Sequence, residues 1–448
     1  MKQVKLRSLL VLLLAAALAA GLVIFCVRYV ACGGRWAAFA ANDHAYENGH
    51  LAMGQVLDRN GTLLYDAPSG TYAQDGLLRR ATLHAVGDPN GNIATSARAA
   101  LEKHLIGFDP LTGTNGGGHK LYLSIDAQLN AAALEALNGR KGAVAIYNYQ
   151  SGDILCMVSN PSFDPADPPE IRDGDSRYEG VYLNRVLSAA YTPGSVFKIV
   201  TTAAALEQLE GVKERTFTCT GWLEMESGAI TCTRAHGEVD LYGALAVSCN
   251  CVYAQLAAEL GGETLARYVQ KAGLTESFSV SGIDTAAGSF TVGEGADLGW
   301  SGVGQYQDLV NPCALLRLMG AIASRDAVSP RLICRETTQH GIPVPVAGGG
   351  ALSSPFDRDT CRTLRQMLRN NVLQTYGQSA FDDLAVCAKS GTAETLAGVA
   401  PHAWFVGFVD DEEVPLAFVV VVENGGGGAD VAGPIAARLL TLAAESLS

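Results

Sequence analysis

Ser195 and Lys198 stand three residues apart in Tyr191-Thr192-Pro193-Gly194-Ser195-Val196-Phe197-Lys198, behind a Pro-Gly turn signal and ahead of an apolar run that reaches about Leu209. That run is rich in helix formers, so the spacing predicts Ser195 at or just inside a helix N-terminus, where free N–H groups favour developing negative charge. Lys198 falls on the same face about one turn deeper. A hydroxyl at a helix mouth beside an amine is an activated nucleophile, provided the amine is held neutral. A helix-capping serine with an unrelated lysine is the plain alternative.

Two further stretches bear on that choice. Ser248-Cys249-Asn250 precedes a helical segment, Val252-Tyr253-Ala254-Gln255, and pairs a second hydroxyl with a carboxamide able to relay a proton or hold an amine. Alone it would read as an ordinary Ser/Asn cap. Lys389-Ser390-Gly391-Thr392 ends a predicted strand. Its lysine and hydroxyls suit a carboxylate, its glycine allows close approach of a substrate backbone, and a backbone N–H can face a reacting carbonyl. The alternative is a strand end with an exposed lysine. Of nine lysines, only Lys198 has a serine three positions before it; Ser248-Cys249-Asn250 is the only Ser-x-Asn, and Lys389 begins the only Lys-Ser/Thr-Gly. Three unique motifs in this order are a strong joint signal, and the set resembles that of serine β-lactamases and penicillin-binding proteins.

The elements that must position these motifs follow from periodicity. A strand at Leu121–Ile125 and a helix from the Asp126 cap to about Leu137 come first, then a hairpin of Gly142–Tyr149 and Asp153–Ser159 around Gln150-Ser151-Gly152. Residues 184–324 read as mostly helical, including Val252–Leu260, Glu263–Ala272 and a helix opened by Asn311-Pro312. Strands return at Ala385–Gly391, Ala403–Val409 and Leu416–Glu423, and a last helix runs from about Pro434 to Ser446. Strands at both ends with helices between them predict an α+β domain whose antiparallel sheet carries the terminal helices on one face.

Upstream, Gly54–Leu64 reads as two short strands around Asn60-Gly61, and Thr112–Gly118 as a glycine-rich linker. Ser8 to Val27 is an unbroken apolar run preceded by Lys2, Lys5 and Arg7. It is longer than a signal-peptide core and has no clean small-x-small site after it, which favours an uncleaved anchor over a cleaved signal. The basic flank places the N-terminus in the cytoplasm and the rest outside. The expected divisions are a tail at 1–7, an anchor at 8–28, a non-catalytic region at 29–118 and a catalytic domain at 119–448. With 448 residues, 48% of them hydrophobic, the chain has ample core, and a net charge of −13 argues against nucleic acid as a partner. Eleven cysteines are an odd count. Cys219 and Cys232 flank a short polar segment and are expected to form a disulfide; zinc held by Cys219, Cys232, Cys249 and Cys251 lacks Cys-x-x-Cys spacing and is disfavoured.

Residues 119–448 resemble the class B penicillin-binding proteins, in particular their shorter elongation-type or A-type members. Besides the three motifs, the likeness rests on Gly142-Ala143-Val144 through Leu155, Ser159-Asn160-Pro161, Tyr182-Leu183-Asn184-Arg185, His236-Gly237 and His402-Ala403-Trp404-Phe405-Val406-Gly407-Phe408. Asp58-Arg59-Asn60-Gly61 looks like the start of the family's pedestal. Met53 stands where that family commonly has an arginine, and Tyr306 where it has a glycine. The resemblance implies the penicilloyl-serine transpeptidase fold, an antiparallel sheet flanked by helices with an all-helical subdomain. It implies a peptidoglycan D,D-transpeptidase needing no metal or organic cofactor, acting on stem peptides and acylated by β-lactams. Ser195 would be the nucleophile and Lys198 the base, neutralised by burial and by Lys389. Ser248 would be the proton relay and Asn250 would orient Lys198 and the peptide amide. Lys389, Ser390 and Thr392 would bind the substrate carboxylate beside Gly391, with the N–H groups of Ser195 and Thr392 as oxyanion hole. Residues 29–118 are too few for a glycosyltransferase, so a membrane glycan polymerase would be the partner. A D,D-carboxypeptidase, a β-lactamase and a β-lactam sensor are the rivals. No Glu-x-x-x-Asn is present to supply a class A deacylating base, class D enzymes usually have a hydrophobic residue where Asn250 stands, and a sensor needs a cytoplasmic output.

Overall fold

The run Leu416–Val422 contains no polar residue, because both of its faces are buried. It is the central strand of an antiparallel five-stranded sheet formed by β1 (Gly142–Asn148), β2 (Ile154–Asn160), β3 (Val386–Ala393), β4 (His402–Val409) and β5 (Leu416–Val422), in the spatial order β2-β1-β5-β4-β3. Along β5, Leu416, Phe418, Val420 and Val422 face one core, while Ala417, Val419 and Val421 face the other. The computed structural model describes residues 2–37, 46–47, 50–51, 54–109, 113–114, 118–172, 174–395 and 398–447.

The first core is closed by the two terminal helices, as the sequence predicts. Asp126 caps Ala127–Leu137 by accepting from the Gln128 and Leu129 N–H groups, and the helix buries Leu129, Ala133 and Leu137, spaced to lie on one side. Gly433–Glu445 buries Ala436, Leu439, Leu440 and Ala443 beside it. The second core holds Pro312–Ala323, whose Asn311 cap accepts from the Ala314 N–H with proline at the first turn. Lys198–Gln208 and Asn250–Leu260 lie in this same core and carry the chemistry.

The stretch expected to be mostly helical differs at Phe217–Val239. Four short strands form there, pairing Phe217–Cys219 with Gly237–Val239 and Trp222–Met225 with Gly228–Thr231. Alternating short apolar residues on either side of the Glu226-Ser227-Gly228 turn cannot present a continuous helical stripe, so they pair as ribbons.

Upstream, Gln55–Leu57 and Leu63–Asp66 pair across the Asn60-Gly61 turn as expected. They belong to a six-stranded sheet that also takes in His119–Leu123 and Ile333–Thr338, so this sheet crosses the sequence boundary at residue 118. Met53 and most of the glycine-rich linker lie outside the described residues. Lys2–Ala37 is one helix whose Val4–Gly33 portion is long and apolar enough to cross a membrane, and its leucines and valines are exposed.

Candidate active site

Ser195 sits on a single 3-10 turn, Gly194–Phe197, that feeds directly into the helix Lys198–Gln208. Gly194 has φ +56°, and a Cβ there would lie 2.7 Å from the Thr392 carbonyl oxygen, so the turn needs glycine on both counts. The Gly194 N–H donates to the Gly304 carbonyl at 2.9 Å, and the Trp404 indole donates to the Thr192 carbonyl at 3.0 Å. The turn is therefore clamped between two other parts of the chain. The Ser195 side chain is partly exposed and makes no hydrogen bond among the described residues.

Lys198 is fully buried, and its amine has three oxygen partners. Nζ donates to the Ser248 carbonyl at 2.7 Å, to Ser248 Oγ at 3.2 Å and to Asn250 Oδ1 at 2.7 Å. Burial disfavours its charged form and brings its pKa down to about 7. Neighbouring thiols act in the opposite direction and do not reverse the shift.

Ser248 reaches this position through the end of the helix Leu241–Ala246. The Ser248 N–H donates to the Leu245 carbonyl and the Cys249 N–H to the Ala244 carbonyl, the paired bonds of a Schellman motif. The residue closing that motif is left-handed, usually glycine; here it is Ser248 with φ +57°. A serine in that well costs about 1 kcal/mol or more, and its hydroxyl is thereby aimed at two lysines. Asn250 opens the next helix, accepting from Lys198 and donating through Nδ2 to the Thr231 carbonyl at 2.9 Å.

Lys389 on β3 is also fully buried; it donates to Ser248 Oγ at 3.0 Å and to the Ser390 carbonyl at 3.0 Å. Burial first, and then repulsion from Lys198, hold its pKa well below the ordinary lysine value. For Lys198 burial is the cause of discharge, and the expected repulsion between the two lysines bears on Lys389 instead. Thr392 is exposed, with Oγ1 accepting from the Gly428 N–H at 3.3 Å, and Ser390 Oγ accepts from the Tyr376 hydroxyl at 2.9 Å. Both hydroxyls keep a proton to donate. Gly391 serves the protein's own packing: a Cβ there would meet the Pro193 carbonyl oxygen and Val196 Cγ1, each at 2.9 Å. Larger residues would push the Ser195 turn off β3.

The structure thus gathers Lys198, Ser248, Asn250 and Lys389 into one hydrogen-bonded unit and seats the Ser195 turn beside β3, the edge strand of the sheet. The model of the penicillin-binding protein transpeptidase domain matches residues 142–441. This chain belongs to that family. Among its relatives, peptidoglycan D,D-transpeptidase PbpA of Mycolicibacterium smegmatis is 28% identical over 353 residues, covering 71% of this chain and 70% of the relative. PbpA of Mycobacterium tuberculosis is 27% identical over 360 residues, covering 74% and 72%. Among solved structures, penicillin-binding protein A of M. tuberculosis as a ceftriaxone acyl-enzyme superposes with a TM-score of 0.77 at 23% identity, over 88% of this chain and 98% of the other. PBP2 of Pseudomonas aeruginosa in complex with WCK 5153 gives 0.72 at 25% identity, over 88% and 96%.

Three features of this transpeptidase domain escaped the motif reading. Tyr376 is half-buried, donates to Ser390 Oγ and accepts from the Ser390 N–H at 2.8 Å, so its hydroxyl sets the second residue of the Lys-Ser-Gly motif. Glu423 Oε1 accepts from Arg185 Nε at 2.6 Å and from the Tyr191 hydroxyl at 2.9 Å, tying the start of the nucleophile segment to the end of β5. A lone tyrosine and a pair 238 residues apart carry no local signal. Third, the expected Cys219–Cys232 disulfide is not formed: both are free thiols. Cys219 Sγ lies 3.6 Å and Cys232 Sγ 3.4 Å from His236 Nδ1, and Cys232 Sγ lies 3.9 Å from Cys249 Sγ. Four groups converge where two were expected to pair off.

Proposed function

We propose that this chain is a serine-type peptidoglycan D,D-transpeptidase that cross-links stem peptides through a Ser195 acyl-enzyme and is a target of β-lactams. The observation that carries the reading is the buried Lys198 amine, with its pKa near 7, bonded to Ser248 and Asn250 three residues after Ser195. An amine whose charge burial disfavours is a competent general base near neutral pH. The activity named for the PbpA relatives, which share about 70% of their length with this chain, supports it.

Ser195 Oγ attacks the carbonyl between the terminal D-alanines while Lys198 takes its proton. The N–H groups of Ser195 and Thr392 stabilise the oxyanion. Ser248, between the two lysines, passes a proton to the departing D-alanine amine. Lys389, Ser390 and Thr392 hold the substrate carboxylate, and the open edge of β3 pairs with the stem-peptide backbone. An amine from a neighbouring stem then attacks the acyl-enzyme, loses its proton to the same relay and frees Ser195.

The N-terminal apolar helix is a single-pass anchor with Lys2, Lys5 and Arg7 on the cytoplasmic side, which puts the catalytic domain outside. Residues 29–118 act as a pedestal, and a membrane glycan polymerase supplies the strands to be joined.

The test is incubation of the full chain with stem pentapeptide and candidate amines, with products identified by mass. A cross-linked product with one D-alanine released per bond is expected. Tetrapeptide alone, at every amine offered, would make the protein a carboxypeptidase.

A further inference from the structure

The ribbon that pairs Trp222–Met225 with Gly228–Thr231 lies on the helices Asn250–Leu260 and Ala296–Val303. Its inner face buries Ile230 and packs Leu223 and Met225 beside Ala254, Ala296 and Trp300. Its turn sits at the start of the second helix, where the Ala296 N–H donates to the Glu226 carbonyl at 2.8 Å. Its other end meets the active site. The Thr231 carbonyl accepts from Asn250 Nδ2 at 2.9 Å, and Oδ1 of that carboxamide accepts from Lys198 at 2.7 Å. Thr231 pairs directly with Trp222 across the ribbon, so both side chains stand on its outer face at the cleft end.

Beyond the N-terminal helix, Trp222 is the one aromatic side chain among the described residues that is more than half exposed, at 54%. The inner face is packed without it. Gly221, with φ +98°, lets a second loop come close: a Cβ there would lie 3.6 Å from the Arg234 carbonyl carbon and 3.3 Å from the Ala235 nitrogen. Arg234 is exposed, and among the described residues its guanidinium has no carboxylate partner. An indole and a free guanidinium thus share one lip of the cleft, in a chain of net charge −13. Glu224, next on the outer face, is also exposed and bounds the patch on the side away from Asn250.

We propose that Trp222 and Arg234 form a subsite for the glycan strand of peptidoglycan, a reading that rests on the transpeptidase function. The indole lies against the C–H face of a sugar ring, whose hydroxyls stay in water. The guanidinium takes a carboxylate from a neighbouring stem of the same strand. A five-residue stem spans at most about 17 Å, so a strand whose stem reaches Ser195 passes within that distance of the nucleophile. The cleft end of the ribbon is within this reach, since one carboxamide separates the Thr231 carbonyl from the Lys198 amine. Glu224 repels stem carboxylates and leaves Arg234 as their seat. Both residues act remotely from the reacting bond, so they govern capture of the strand and not the chemical step.

The test compares two donors with the same stem, free pentapeptide and uncross-linked glycan strands bearing it, on the full chain in detergent. The ratio of KM on strands to KM on pentapeptide is expected to rise about tenfold in Trp222→Ala and about threefold in Arg234→Ala. Trp222→Phe, which keeps a ring, should recover most of the loss. Binding to immobilised strands, with Ser195 already acylated by penicillin, should weaken in the same order. If Trp222→Ala does not fold, Arg234→Glu carries the test and should weaken strand binding more than Arg234→Ala. Equal effects on both donors, or strand binding that no variant changes, would overturn the subsite. Absence of any cross-linked product from the wild type would instead reject the transpeptidase reading, and the immobilised strands would still decide the subsite.

Discussion

Lys198 Nζ and Lys389 Nζ hydrogen-bond the same atom, Ser248 Oγ, at 3.2 and 3.0 Å. A hydroxyl oxygen that accepts from two amines has both lone pairs engaged and its own proton free to donate. Ser248 is therefore set up to give a proton to an incoming group and be refilled by a lysine. Two amines so close also repel, and together with burial this keeps the site from holding two full positive charges.

Acylation should depend on pH through Lys198. Its pKa of about 7 means that the neutral, base-competent form grows as pH rises through neutrality. The rate of labelling by a fluorescent penicillin should climb on the acid side of pH 7 and level off above it. Lys198→Arg should be inactive at every pH, because guanidinium does not deprotonate. A rate that falls on crossing neutrality would remove Lys198 from the base role.

Tyr376→Phe tests the support beneath β3. The change strips the partner from the Ser390 N–H and Oγ together; a fully buried donor left unpaired costs about 1–3 kcal/mol, and this half-buried one should cost about 1 kcal/mol. Thermal unfolding should register that loss, and the concentration of penicillin needed for half-maximal labelling rate should rise more than the limiting rate falls. Unchanged unfolding and kinetics would show that Ser390 is set by the strand alone.

The Arg185–Glu423–Tyr191 knot should govern the nucleophile segment from a distance. Arg185 is only 4% exposed, so Glu423→Ala leaves a buried charge unpaired at a cost of about 3–5 kcal/mol. Glu423→Gln, which keeps an acceptor for Tyr191, should cost less. Denaturant titration of the two variants should separate them in that order, with penicillin labelling slowed in both. Equal stability of wild type and Glu423→Ala would mean that the pair is dispensable.

A β-lactam adduct on Ser195 should be long-lived. Ring opening leaves the amine tethered where the acceptor would enter, and hydrolysis needs a base aimed at water. Among the described residues, no carboxylate hydrogen-bonds Lys198, Ser248, Asn250 or Lys389. Intact-protein mass spectrometry after drug removal should show the mass increment for many minutes. Ser195→Ala should show none while unfolding at the wild-type temperature, since the Ser195 side chain supports no other group. Clearance within seconds with accumulating penicilloate would favour the hydrolase.

Read alone, the sequence was enough for whatever is encoded within a few residues. Ser195 precedes Lys198 by three, Asp126 and Asn311 cap their helices, and the near-continuous apolar runs of β1, β4 and β5 make strands buried on both faces. Local backbone preference and hydrophobic period suffice for these, because each depends on neighbours in the chain. The Phe217–Val239 ribbons lay at the edge of that reach, since strands of three or four residues carry too few positions to show a period. What tertiary structure alone decided are pairings between distant segments. These are two lysines 191 residues apart meeting at Ser248, Tyr376 bracing Ser390, Glu423 reaching Arg185, and His236 replacing Cys251 among three thiols. Linear spacing cannot reveal such contacts. They exist because burying both faces of one sheet draws its edge strand, two helix starts and a ribbon to the same point, and the discharge of Lys198 follows from that burial.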